Sequence, residues 1–358
     1  MNYKISLDYL KKIFILLIFT LFLIGLSFQQ IFTWPFAEMY AGMERLYLDK
    51  DLYPENNRIN TYPISTYFPG LSFFLLFIKK IFFFVETNYI SNLLLSSLFI
   101  IILTLQQYSI AKKDNLDINQ FNFLVLTCFL YMTLFRHHAE YATSFKPDTI
   151  ALTLSLFAIA INSRYKNYFI KIIAGLIFAF SVLFKQQFLF FFISFLLFIS
   201  LADFHKSRIF IISSLGSILL LFYYLLNIDN FYEYTILSFK DDKFITIYEW
   251  IKLHNGFLIW LLFLFPFLFF NASFHEKSKT AFELLKNKLV RFDPLFFALL
   301  ILGSVSLASA FKYGGNSGNT GFALLCVYPY LFNFFYIKLR RVVLVFLVIF
   351  ITFVSYNS

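Results

Sequence analysis

The sequence predicts an all-α polytopic membrane protein with about 11 transmembrane helices and one outer juxtamembrane helix, N-terminus inside and C-terminus outside. Three observations predict it. Of 358 residues, 60% are hydrophobic and 14% charged, and the mean hydropathy is +0.73. Apolar stretches long enough to cross about 30 Å of hydrocarbon recur along the chain. Basic residues gather at the ends of alternate stretches, the pattern of the positive-inside rule. The length fits a single transmembrane unit, 1–358, without a separate soluble domain. The 55 Phe are read as lipid-facing surface, and the net charge of +10 as cytoplasmic anchoring, not nucleic-acid binding. Cys128 and Cys326 both fall in apolar stretches and read as small buried hydrophobes.

Lys4, Lys11 and Lys12 precede the first span, 13–33, and hold the N-terminus inside. No small-residue cleavage site follows that span, so a cleavable leader is not expected. A polar segment at 34–68 is then outside. Residues 69–85 are apolar but carry Lys79-Lys80, which suits an interfacial or re-entrant helix more than a crossing. Span 89–111 ends at Lys112-Lys113 inside, span 120–136 goes out to Arg136-His137-His138, and span 148–163 returns to Arg164 and Lys166. More than thirty residues then separate Lys171 from His205-Lys206-Ser207-Arg208, too many for one crossing at 1.5 Å per residue. Both flanks are basic, so two short spans are predicted to meet at an outer apex bearing Lys185. Span 209–226 goes out to a polar loop at 227–255, and span 256–273 comes in to the basic loop 275–291. Span 295–311 goes out, span 320–337 comes in to Lys338, Arg340 and Arg341, and span 342–355 ends outside. In this topology 18 of the 30 Lys and Arg lie inside, and every short inner loop is basic. No internal repeat is evident.

The unusual polar groups collect on the outer face, with the active site expected in the outer segment 34–88. Glu38 follows the first span, beside Trp34-Pro35 at the interface. Partial desolvation there suits a carboxylate to general-base work, although a solvated juxtamembrane acid has the same position. Lys146-Pro147-Asp148-Thr149 is ordinary helix-start chemistry, yet Lys146 and Asp148 face the same outer side as Glu38. Lys185, at a hairpin apex, must snorkel or find an anion. Lys312-Tyr313-Gly314-Gly315-Asn316 opens a glycine-rich segment that serves either as a turn or as a backbone nest for an anion. The spacing of His137, His138 and Glu140 matches no metal motif, so no metal site is assigned.

Taken in order, these segments resemble the GT-C superfamily of integral-membrane glycosyltransferases. The likeness is to the branch of protein mannosyltransferases and bacterial lipid A aminoarabinose transferases. Glu38 stands at the family's acidic position, Asp51-Leu52-Tyr53 resembles its small-residue-to-Tyr turn, and Tyr67-Phe68-Pro69-Gly70 its Tyr-Pro-Pro motif. Lys146-Pro147-Asp148 resembles the family's basic-Pro-Asp helix start, Phe184-Lys185-Gln186 its hairpin lysine, and 314–319 its late outer loop. The chain departs from the family in having Ala37-Glu38 for an Asp-Glu pair and one proline for two. It also ends at its last span, where some relatives carry a soluble outer domain.

The resemblance implies a GT-C-like fold in a cell membrane, that of a bacterial inner membrane. It implies transfer of a monosaccharide from a polyprenyl-phosphate donor to a hydroxyl of a glycan, lipid or protein acceptor. Transfer inverts, with Glu38 as base; Asp148 is the next catalytic candidate, and the partner of the family's acidic pair is not assigned. Lys146, Lys185, Lys312 and Arg58 are expected at the donor phosphate, and Tyr67, Pro69 and Asn316 at the substrate. No cofactor is implied with certainty; a divalent metal is compatible with the family but supported by no motif. Membrane lipid is the expected surrounding, and no nucleic-acid partner is expected. A transporter or lipid flippase is the competing reading from another class, and it requires charges within spans or broken-helix repeats. An O-antigen-type polymerase is the competing enzyme; more arginine is expected in its outer loops than Arg45 and Arg58 in the first and none at 227–255.

Overall fold

The computed structural model describes residues 34–53, 68–83, 147–235, 246–249 and 294–310, together with Phe322 and Cys326. All regular structure among them is helical. In chain order the helices are α1 (Trp34–Tyr47), α2 (Gly70–Ile81), α3 (Pro147–Arg164), α4 (Tyr168–Ser181), a 3-10 turn (Val182–Phe184), α5 (Phe188–Leu226), α6 (Phe231–Thr235) and α7 (Pro294–Ala310).

The polar segment after the first predicted span is not a plain loop, because its first 14 residues form α1. Glu38 therefore sits within a helix and not on an extended tail. Helix α1 ends where Asp49 takes φ 53°, while Lys50 N–H returns to the Arg45 carbonyl at 2.9 Å. Arg45 Nε donates to the Asp51 carbonyl at 2.6 Å, which shapes the turn toward Tyr53. Helix α2 has 12 residues, about 18 Å at helical rise, too short by itself to cross a bilayer. It packs on α1: a Cβ on Gly42 would lie 2.7 Å from Ser72 Oγ and 2.9 Å from Leu52. The Lys79–Glu44 ion pair at 2.5 Å ties the C-terminal end of α2 to the C-terminal half of α1, with Lys79 4.2 Å from the Tyr47 ring centroid.

Helices α3, α4 and α5 are the centre of the fold. Helix α3 starts at Pro147, where the missing N–H is not needed, and stops at Arg164. Asn167 caps α4, its Oδ1 accepting from Phe169 N–H at 2.8 Å and Ile170 N–H at 3.4 Å. Helix α5 is 39 residues long and apolar, long enough for a membrane crossing. It is not straight. Asp203 leaves helical geometry at φ −160°, ψ 68°. The rings of Phe195 and Phe210 are 6.3 Å apart, and both touch Phe178 of α4. Fifteen residues of unbroken helix span about 22 Å, so the chain folds back at Asp203 into two limbs, 188–202 and 204–226. Asp203 pairs with Lys206 at 2.8 Å, and Lys171 Nζ donates to the Lys206 carbonyl at 2.5 Å, fixing the reversal beside the start of α4. The two short spans expected before the His205-to-Arg208 cluster, and the span after it, correspond to α4 and the limbs of α5.

The core is more aromatic than the sequence reading allowed. Phe178, Phe184, Phe188, Phe191, Phe192, Phe195 and Phe210 are all but fully buried, so part of the phenylalanine content is interhelical packing and not lipid-facing surface. Phe178 is the hub, stacked on Phe192 at 5.0 Å and edge-on to Phe191 and Phe195. Such pairs add about 0.5–1.5 kcal/mol each beyond area burial. Where α4 meets the second limb of α5, Gly175 lies against Ser213 so closely that a Cβ would be 2.9 Å from the Ser213 Cβ and 3.0 Å from the Phe210 carbonyl oxygen. Small residues at such crossings let helix backbones approach.

Candidate functional site

Pro147 and Asp148 begin α3, and Val182–Phe184 with Lys185 turn the chain from α4 into α5. The apex therefore returns to the end of the bundle where α3 begins. There Lys185 Nζ donates to Asp148 Oδ1 at 2.5 Å. Both residues are buried at 8% exposure, which rules out snorkelling for Lys185 in this state. Its anion is supplied by the protein. An ammonium carries three donors, so one bond to Asp148 leaves capacity for another acceptor. Asp148 also sits in the first turn of α3, where the partial positive charge of the helix end favours a carboxylate.

The segment around Pro69 meets the same apex. Pro69 precedes α2, and its carbonyl accepts from Phe73 N–H at 3.0 Å. Gly70 approaches Leu183 until a Cβ would be 2.6 Å from that residue's carbonyl oxygen, a distance only glycine permits. Phe74 and Phe184 meet edge-on at 6.3 Å beside it. Tyr53 is buried at 1%, edge-on to Phe231, and its carbonyl accepts from Asn230 Nδ2 at 3.3 Å. Burial raises the Tyr53 phenol far above its ordinary value, so it stays protonated. The end of α7 joins through Gln187 Nε2, which donates to Ser309 Oγ at 2.5 Å.

Five segments that the sequence assigns to the outer side thus share one end of the helix bundle: 51–53, 68–70, 147–148, 182–187 and the end of α7. Asp148 and Lys185 are brought together directly, and Pro69 is placed beside their hairpin. The Glu38 backbone lies one turn before Gly42 on the helix that packs against α2. Lys146, Arg58, Tyr67, Lys312 and Asn316 lie outside the described residues. Among the described residues no cluster of three or more His, Cys, Asp and Glu could hold a metal ion.

Sequence reasoning missed a polar seam. Asp148, Ser155 and Asn162 recur every seven residues on α3, and all three are buried. Asp148 pairs with Lys185 of the apex, while Ser155 Oγ donates to Ser181 Oγ at 2.8 Å and Ser181 donates to the Phe178 carbonyl at 2.6 Å. Two side-chain oxygens, Asn162 Oδ1 and Gln187 Oε1, are buried with no hydrogen-bond partner among the described residues as the amides are oriented. The seven-residue spacing was available as a signal, since it keeps polar residues on one helix face. No protein-family model matches this chain, and neither a curated protein nor a solved structure matches it.

Proposed function

We propose that this chain is a membrane glycosyltransferase. It moves a monosaccharide from a polyprenyl-phosphate donor to an acceptor hydroxyl at the outer membrane surface, with inversion. One observation supports the reading: three of the segments that bear the GT-C likeness, those at Pro69-Gly70, Pro147-Asp148 and Phe184-Lys185, meet at one end of the bundle, with Gly70 against Leu183 and Asp148 bonded to Lys185.

In this mechanism Glu38 takes the proton of the acceptor hydroxyl. The acceptor oxygen attacks the anomeric carbon opposite the phosphate, and the bond from that carbon to the phosphate oxygen breaks. The electron pair leaves with the polyprenyl phosphate, whose negative charge Lys185 stabilises, with Lys146, Lys312 and Arg58 the further basic residues that the resemblance assigns to that phosphate. Asp148 is better suited to holding Lys185 in place than to proton abstraction, because one of its oxygens already accepts the ammonium.

A second reading has its own support. An ion pair buried in an apolar helical bundle is also what a transporter or lipid flippase uses along a substrate path. Membranes with and without the protein, given radiolabelled polyprenyl-phosphate sugars, separate the two. Label passing to a new acceptor only with the protein, and lost in Glu38→Gln, supports transfer. Label that changes leaflet while remaining on its lipid overturns transfer in favour of translocation.

A further inference from the structure

At the end of α4 opposite the Lys185 apex, three elements bring basic residues together. Helix α3 ends at Arg164, and residues 165–167 lead straight into α4, so the last turn of one helix lies beside the first turn of the other. Lys171, in that first turn, reaches the reversal of α5 through the bond from its Nζ to the Lys206 carbonyl. Arg164, Lys166, Lys171, Lys206 and Arg208 therefore share one end of the bundle. The reversal adds a single acid, Asp203, and it is already engaged. Lys206 Nζ pairs with its Oδ2 at 2.8 Å, and Lys206 N–H donates to its Oδ1 at 3.4 Å. Arg164, Lys166 and Arg208 are exposed and form no ion pair among the described residues. In the predicted topology the inner segments carry 18 Lys and Arg against seven Asp and Glu, so the protein does not neutralise this side by itself. The same end exposes Tyr165, Tyr168, Phe169 and Phe204. Beyond these rings lie the exposed apolar side chains Ile172 and Leu176 of α4 and Ile212 and Leu215 of α5. Cations and aromatic rings above apolar helix faces are the arrangement of a protein at headgroup level in a bilayer.

We infer that this end of the bundle is a binding site for an anionic phospholipid. Its headgroup phosphate is held among Arg164, Lys166 and Arg208, and its acyl chains lie along the exposed faces of α4 and the second limb of α5. Basic clusters at the ends of membrane helices recognise acidic lipids by charge, and a guanidinium can offer a phosphate two parallel hydrogen bonds. A soluble polyanion would satisfy the cations but leave the rings and the aliphatic faces without a partner. The bound lipid bridges the α3–α4 connection and the reversal at Asp203, which the protein itself joins there through Lys171. The site lies the length of α4 from Lys185, about 21 Å at helical rise, and does not depend on the glycosyltransferase reading.

The test uses the full-length protein in non-ionic detergent, titrated with phosphatidylglycerol or with phosphatidylcholine of the same acyl chains. Native mass spectrometry counts the lipids retained. Wild-type protein should retain phosphatidylglycerol in preference, and added salt should weaken that preference. Arg164→Gln, Lys166→Gln and Arg208→Gln should each weaken phosphatidylglycerol binding about five-fold, and the triple variant should treat the two lipids alike. Lys50→Gln, in the turn after α1, should change nothing. If the triple variant folds poorly, the single variants at these exposed positions carry the test. Inorganic phosphate at matched concentration should not displace the lipid, because it brings no acyl chain. Equal retention of both lipids by wild-type protein overturns the inference, as does undiminished preference in the three single variants. Displacement by inorganic phosphate overturns the lipid as occupant and leaves a simple anion site.

Discussion

Lys185 shows how burial changes the meaning of a residue. As an apex ammonium it reads as free to bind phosphate, and losing it should only weaken donor use. Paired with Asp148 and buried, it also holds the fold together. Removing one member of a buried pair strands the other charge and costs about 3–5 kcal/mol, whereas replacing both with apolar groups of similar size is often nearly neutral. Lys185→Ala and Asp148→Asn are thus each expected to lower thermal stability in detergent. Lys185→Met combined with Asp148→Leu should recover most of it while remaining inactive. Equal stability of the single variants and wild type would mean that the pair contributes nothing to folding. Glu38→Gln is the contrasting case. It removes basicity and keeps size, so unfolding should be unchanged while turnover falls about 10²–10⁴-fold. Wild-type turnover in that variant would remove Glu38 from the role of base.

At the scale of elements, two close approaches and one reversal set the arrangement. Gly70 is where α2 touches the hairpin backbone, and a carbonyl oxygen cannot rotate away as a side chain does. Gly70→Ala is therefore expected to displace α2 and lower stability by about 1–3 kcal/mol, the usual range for overpacking. Gly175→Ala meets the Ser213 Cβ and the Phe210 carbonyl oxygen, which do not move when the Ser213 hydroxyl turns, so it is also expected to destabilise, with Ser213→Gly relieving part of the cost. Equal thermal stability of Gly70→Ala and wild type would show that the contact is easily accommodated. At the reversal, the Lys206 side-chain hydrogen bond holds Asp203 below its ordinary carboxylate value. The pair's contribution is present above the unfolded carboxylate value and is lost as pH falls through the folded one. Hydrogen exchange around 203–206 should accelerate only at acid pH, and Asp203→Ala should abolish that dependence.

For the whole molecule, the testable statement is orientation. By the positive-inside rule the basic clusters are expected to hold 275–291 inside and the segments near Glu38 and Gly314 outside. Cysteines introduced at Asn57 and Asn316 should react with an impermeant thiol reagent in intact cells, and one at Ser278 should not. Labelling at position 278 would reverse the orientation and move the proposed chemistry to the other face.

What the sequence by itself determined is the class and the rhythm of the described chain: helices, mostly apolar, with breaks where charge or proline makes them. Span 148–163 is α3, the apolar stretch at 69–85 contains α2, and the apex at Lys185 lies between α4 and α5. These features are legible because hydropathy and helix-start chemistry act locally. The polar segment at 34–68 was less so, since α1 buries only part of its surface and lacks a long apolar run. Tertiary structure alone decided that Asp148 is the partner of Lys185 and that Gly70 rests on Leu183. No pattern in the sequence encodes which polar group a buried charge will meet across 37 residues, because that follows from how α3 and α4 pack and from the cost of leaving either charge alone.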